Sequence, residues 1–144
     1  MFDWLSPTLL AAFTTAILVG GMVYFAVVFA PLVFRHLPSD RAGAFIRKVF
    51  PVYYLTGLVL SALAGFVAIW RRPTEGAILL LIAAGFAYSR QILMPQINAL
   101  RDREATGDSE AGWRFRRLHR FSVLINMLQL LAGSIVLFGL MLAA

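Results

Sequence analysis

Apolar residues fall in four long runs, at residues 8–34, 51–70, 76–97 and 118–142, with short polar stretches between them. Each run is long enough to cross a hydrocarbon core of about 30 Å as a helix, the longest with tilt. Ser6-Pro7 before the first run reads as a helix start. Between runs two and three, Arg71-Arg72-Pro73-Thr74-Glu75 leaves room only for a tight turn, so these runs pair as an antiparallel hairpin. The pattern predicts an all-α fold, a four-transmembrane-helix antiparallel bundle forming one membrane domain over residues 1–144.

The remaining connections carry most of the polar residues. In the first, Ser39 is expected as N-cap and Asp40 as a favourable first-turn charge. Phe45, Ile46, Val49 and Phe50 share one face while Arg41, Arg47 and Lys48 share another, which predicts an amphipathic interfacial helix between spans one and two. The second connection, residues 98–117, reads as a helical extension of span three, a solvated turn around Gly107, and a basic re-entry helix with Trp113 and Phe115 at the interface.

Charge orients the pattern. Of 13 Lys and Arg residues, only Arg71 and Arg72 fall on the side of the tight turn. The other side holds Arg35, Arg41, Arg47, Lys48, Arg90, Arg101, Arg103, Arg114, Arg116, Arg117 and Arg120. Positive charge resists translocation, so the expected topology has both termini outside and both long basic loops in the cytoplasm, in a bacterial inner (plasma) membrane. Met1-Phe2-Asp3-Trp4 carries no Lys or Arg, which predicts a retained first helix rather than a cleaved signal, with Trp4 in the outer aromatic belt.

Composition narrows the classes. At 60% hydrophobic and 14% charged residues, the chain is not an ordinary soluble domain. With no Cys, it has no disulfide, thiolate metal site or Cys nucleophile. The net charge of +6 is explained by topology and anionic lipid, so membrane lipids are the expected partners and nucleic acid is not.

The candidate chemistry lies where polar residues enter the spans. His119, Ser122, Asn126, Gln129 and Gly133 recur at three and four residues and make one helical stripe on span four. Tyr88, Gln91, Pro95 and Asn98 make a second stripe on span three. Amides and hydroxyls lose water hydrogen bonds in lipid, so both stripes are expected to face inward. Tyr24 on span one and Tyr54 on span two add to them. The ligand-binding pocket predicted in this way comprises Tyr24, Tyr54, Tyr88, Gln91, Asn98, His119, Ser122, Asn126 and Gln129. The simpler reading of Asn126 and Gln129 is interhelical hydrogen bonding, of about 0.6–2 kcal/mol each. Gly20-Gly21 is expected at a close helix contact, the alternative being backbone approach to a ligand, and Arg90 is expected to snorkel to headgroups, the alternative being to pair with an anion in the cavity. Pro31, Pro51 and Pro95 mark either broken backbone lining a vestibule or ordinary helix ends.

Gly20-Gly21-Met22-Val23-Tyr24-Phe25, Phe50-Pro51-Val52-Tyr53-Tyr54, Pro95-Gln96-Ile97-Asn98-Ala99-Leu100-Arg101-Asp102 and, most distinctively, Leu118-His119-Arg120-Phe121-Ser122-Val123-Leu124-Ile125-Asn126 give the chain its character. Through these segments, from about Phe13 to Gly139, the chain resembles the transmembrane protein 205-like family, a domain of unknown function. The resemblance implies a four-helix integral membrane protein and supplies no reaction.

Three classes follow. One binds or transports a small polar or anionic solute through a cytoplasm-facing pocket. Without an internal repeat for alternating access, transport would need a homodimer or a membrane-protein partner. A second holds haem or quinone, with His36 and His119 as haem ligands from two helices. Residues 31–36 are also distantly similar to four-helix haem-dependent protoporphyrinogen oxidases. A third is a structural or assembly factor that contacts a membrane partner or anionic lipid through Arg35, Arg47, Lys48, Arg90, Arg117 and Arg120. No catalytic or metal site is expected. Ser122 and His119 share one helix, which argues against a hydrolase, and no acid falls within a span, which argues against a simple proton pump.

Overall fold

The computed structural model describes residues 6–143 as four long helices. They are α1 (Pro7–His36), α2 (Ser39–Ala68), α3 (Pro73–Ala105) and α4 (Ser109–Leu142), each long and apolar enough to cross a membrane. The chain is thus an integral membrane protein with an all-helical, four-span architecture. The outer-belt position expected for Trp4 lies outside the described residues.

Local chemistry sets the helix ends. Ser6 caps α1 by accepting the Leu9 N–H at 3.1 Å, with Pro7 at the first helical position where its missing N–H costs nothing. Asp108 caps α4 by accepting the Ala111 N–H at 3.0 Å. The turn before it contains Gly107 at φ 97°, a left-handed conformation that glycine adopts without a Cβ clash. One expectation for α2 is corrected. Its N-cap position is held by Pro38, and Ser39 is the first helical residue with no side-chain cap bond. The amphipathic segment leads into span two without a break, with Ala42, Gly43 and Ile46 buried against the bundle.

The helices form a ring in which α2 packs on α1 and α3, and α4 closes it between α3 and α1. Small residues let backbones approach where hydrophobicity alone gives no drive between helices in lipid. Gly57 receives the ring of Phe86, which is fully buried, and Gly76 lies against the backbone of Ile69. At the tight turn, Arg72 pairs with Glu75, and this hydrogen bond holds the Glu75 carboxyl below its ordinary value.

Two helices contain one wide π turn each, at Phe25–Phe29 in α1 and Ser89–Leu93 in α3. The Ala30 N–H reaches back to Phe25 O, and the Met94 N–H to Ser89 O. A proline follows each turn by two residues, Pro31 and Pro95. Proline lacks a donor and its ring crowds the carbonyl four residues earlier, and a widened turn relieves both. Pro51 sits in regular α-helix, so none of the three prolines ends a helix. From its π turn onward α1 lies at the edge of the bundle: no residue from Phe25 to His36 is fully buried, though Phe25 and Phe29 keep ring contacts with α2.

Candidate functional site

The stripe on α4 faces the bundle at its middle. Ser122, Gln129 and Gly133 are buried and Asn126 is half-buried. The Tyr53 hydroxyl donates to Asn126 Oδ1 at 3.0 Å, and Asn126 Nδ2 donates to Ser122 O at 3.3 Å. Gln129 Nε2 donates to Ile82 O at 3.0 Å, packed into the space left by Gly85. Gln129 Oε1 and Ser89 Oγ are buried without a partner. His119, at the start of the stripe, is exposed and stacks on Phe115 of its own helix at 5.8 Å. These contacts fit the interhelical reading of Asn126 and Gln129.

The stripe on α3 does not face inward. Tyr88, Gln91 and Pro95 are exposed and only Asn98 is half-buried, while the inward face is Phe86, Ser89 and Leu93. Tyr88 and Gln91 lie toward the basic end, where an amphipathic ring or an amide reaches the wet interface and exposure carries little penalty. Tyr54 is buried against Phe50, with ring centroids 5.4 Å apart, and is core rather than pocket. The two histidines stay on their own helices: His36 Nδ1 lies 3.1 Å from Leu32 O, on the part of α1 where no residue is fully buried. Among the described residues, no group of three or more His, Cys, Asp or Glu is arranged to hold a metal.

The basic end is clasped by side chains outside the spans. Arg47 grips Asp102 through two hydrogen bonds of 2.7 and 2.8 Å and holds its carboxyl below the ordinary value. Arg103 pairs with Asp108, and Arg116 with Glu104. The Arg101 guanidinium fills the space at Gly43 and lies 5.9 Å from the Phe115 ring. Arg117 stacks over Trp113 at 5.6 Å. Arg90 Nε donates to Pro51 O at 3.3 Å, crossing from α3 to α2. Arg35, Lys48 and Arg120 have no acidic partner among the described residues.

One cavity at the depth of the spans is apolar. A groove of about 310 Å³ runs between α1 and α2, open at the side, with Phe86 of α3 as its floor. Phe25 and Phe29 form one wall and Val52 and Tyr53 the other, with the Phe25 and Tyr53 rings stacked at 4.3 Å. Gly21 lines it, and a Cβ at Gly20 or Gly21 would meet nothing within 4 Å. The expected role of Gly20-Gly21 in close helix contact is therefore replaced by open space beside the groove. Of the predicted pocket residues, Tyr24 lines this groove, and Asn126 touches it through Tyr53. Neither histidine lines it. Pattern reading passed over Phe25, Phe29, Val52 and Phe86, because apolar residues in a span carry no mark that separates groove from lipid face. The available signal was the aromatic spacing at 25, 29, 50, 53 and 54.

Residues 13–106 match the family model of a domain of unknown function, DUF4149. No curated protein and no solved structure matches the chain.

Proposed function

We propose that this chain, which belongs to the DUF4149 family, is an integral membrane binding protein that admits the apolar part of a membrane-resident amphiphile sideways into the groove between α1 and α2. The observation that carries this is the groove itself, a laterally open cavity with an almost wholly apolar lining at the depth of the spans. Its volume of about 310 Å³ lies at the small end of ligand pockets, which run from about 300 to 1,000 Å³. Of the groups first read as a solute pocket, Asn126 and Gln129 are used up in interhelical bonds, to Tyr53 and Ile82, and Tyr88, Gln91 and His119 are exposed on the outside of their helices. A groove for an apolar guest therefore fits the geometry better than a vestibule for a polar solute.

In this reading the basic end faces the cytoplasm and both termini lie outside, in the inner membrane of a bacterium, because loops rich in Lys and Arg stay untranslocated. The likeness to the transmembrane protein 205-like family rests most strongly on residues 118–126, beyond the segment matched by the family model, and it implies the same four-span plan.

The test fills the groove. Gly21→Leu adds a side chain on the groove lining, starting from a Cβ that meets nothing within 4 Å. Protein reconstituted in nanodiscs and released for native mass spectrometry should retain a bound amphiphile, and Gly21→Leu should lose it. Wild-type protein that retains none, or a variant that retains as much, would overturn the reading.

A further inference from the structure

Resting on the groove reading above, we infer that the guest is an anionic glycerophospholipid from the leaflet at the basic end, with one acyl chain in the groove and its phosphate met by Lys48 and Arg90.

Length is the first argument. On α2 the groove runs from Val49 to Leu60, which at 1.5 Å per residue is about 16 Å. That is about half of a 30 Å hydrocarbon core, the depth of one leaflet. The groove starts where α2 leaves the basic end, so it spans from that interface to the bilayer midplane, as an acyl chain of that leaflet does. From Phe25 to His36 no residue of α1 is fully buried, and α1 meets α2 there through aromatic rings, Phe25 against Tyr53 and Phe50 and Phe29 against Phe45, which an acyl chain can lie along.

Charge is the second argument. Lys48 precedes the groove-lining Val49 and stands one helical turn before Val52. It has no acidic partner among the described residues. Arg90 follows the floor residue Phe86 by four positions, and its bond to Pro51 O brings it beside the residue that precedes Val52. It is half-buried with no carboxylate partner among the described residues. A half-buried arginine near a membrane interface that is matched only by a neutral carbonyl has donors left for an anion. Neighbouring cations are already committed: Arg47 to Asp102 and Arg116 to Glu104. Lys48 and Arg90 are thus two uncommitted charges set next to groove-lining residues, and a phosphate above an acyl chain complements them.

The test uses the full chain in nanodiscs of phosphatidylglycerol and phosphatidylcholine in equal amounts, with bound lipid counted by native mass spectrometry. Wild-type protein should retain phosphatidylglycerol in excess. Lys48→Gln should lower that excess about fivefold, the weight of one Lys near a membrane surface. Arg90→Gln should do at least as much, and Arg90→Lys should keep most of it, which separates a charge role from a structural one. Equal retention of both lipids by wild type, or an excess unchanged in Lys48→Gln and Arg90→Gln alike, would overturn the inference about the headgroup while leaving the groove standing. Loss of both lipids in Gly21→Leu, with the excess kept in Lys48→Gln, would separate the two conclusions in the same way. A wild type that retains neither lipid would remove the groove reading and this inference together.

Discussion

The Tyr53 hydroxyl donates to Asn126 Oδ1 at 3.0 Å, joining a wall of the groove on α2 to the polar stripe of α4 across the bundle. Removing the donor leaves a half-buried amide oxygen without a partner. Tyr53→Phe should therefore lower unfolding free energy in detergent by about 1–2 kcal/mol. A double-mutant cycle with Asn126→Leu should give a coupling of about 0.6–1.7 kcal/mol, as found for interhelical bonds in membranes. A coupling near zero would show that the bond does not hold the helices together.

Glycines at the two sites should respond oppositely to the same methyl group. A Cβ at Gly57 would stand 2.6 Å from ring atoms of the fully buried Phe86, so Gly57→Ala should cost about 1–3 kcal/mol through overpacking. Gly21→Ala meets nothing within 4 Å and should be neutral or slightly stabilising in thermal unfolding. Equal losses at both positions would mean that Gly21 is packed against something in the membrane.

These contrasts show where the sequence was readable. Span number, the hairpin at Arg71 to Glu75 and the extension of α3 to Ala105 follow from run length and breaker residues alone, because lipid leaves helices as the only open choice. The α4 stripe was legible because α4 is unbroken α-helix from Ser109 to Leu142, so a count of three and four residues stays on one face. The α3 stripe misled because inward-facing polarity is enforced only deep in the core, and Tyr88 and Gln91 lie toward the interface. The groove was not legible because it depends on how α1 and α2 run side by side from Ile17 to Phe29, a property of backbone path rather than residue type.

Acid should loosen the clasp at the basic end. Hydrogen bonding to Arg47 lowers the Asp102 pKa, while the Ala111 N–H, and then Arg103, lower that of Asp108. Both carboxyls therefore release protons more readily folded than unfolded. Their contribution is present above the ordinary carboxylate value of about 3.9 and is lost as pH falls through the lower folded values. Wild-type thermal stability should drop more steeply below about pH 4 than that of Asp102→Asn with Asp108→Asn. Parallel profiles would show that these pairs add nothing to folding, as many exposed ion pairs do not.

Gln129 is held by one bond, Nε2 to Ile82 O, while its Oε1 is buried without a partner. The bond is worth about 0.5–1.5 kcal/mol and the unmet acceptor costs about 1–3, so the two nearly cancel or favour removal. Gln129→Leu should leave stability unchanged or raise it by up to about 1 kcal/mol. A clear loss in equilibrium unfolding would instead reveal that Oε1 is satisfied by an internal water, which needs a polar site with room for it.

Orientation can be read directly because the chain contains no Cys, so single cysteines report position without background. Thr74 at the tight turn and Thr106 between α3 and α4 are both exposed and lie at opposite ends of the bundle. With eleven cations at the end that includes Thr106, that end should resist translocation. In intact bacterial cells a membrane-impermeant maleimide should label Thr74→Cys and not Thr106→Cys, and permeabilising the inner membrane should expose the second site. The reverse pattern would put the basic end outside, and the anionic lipid inferred for the groove would then have to come from the outer leaflet of the same membrane.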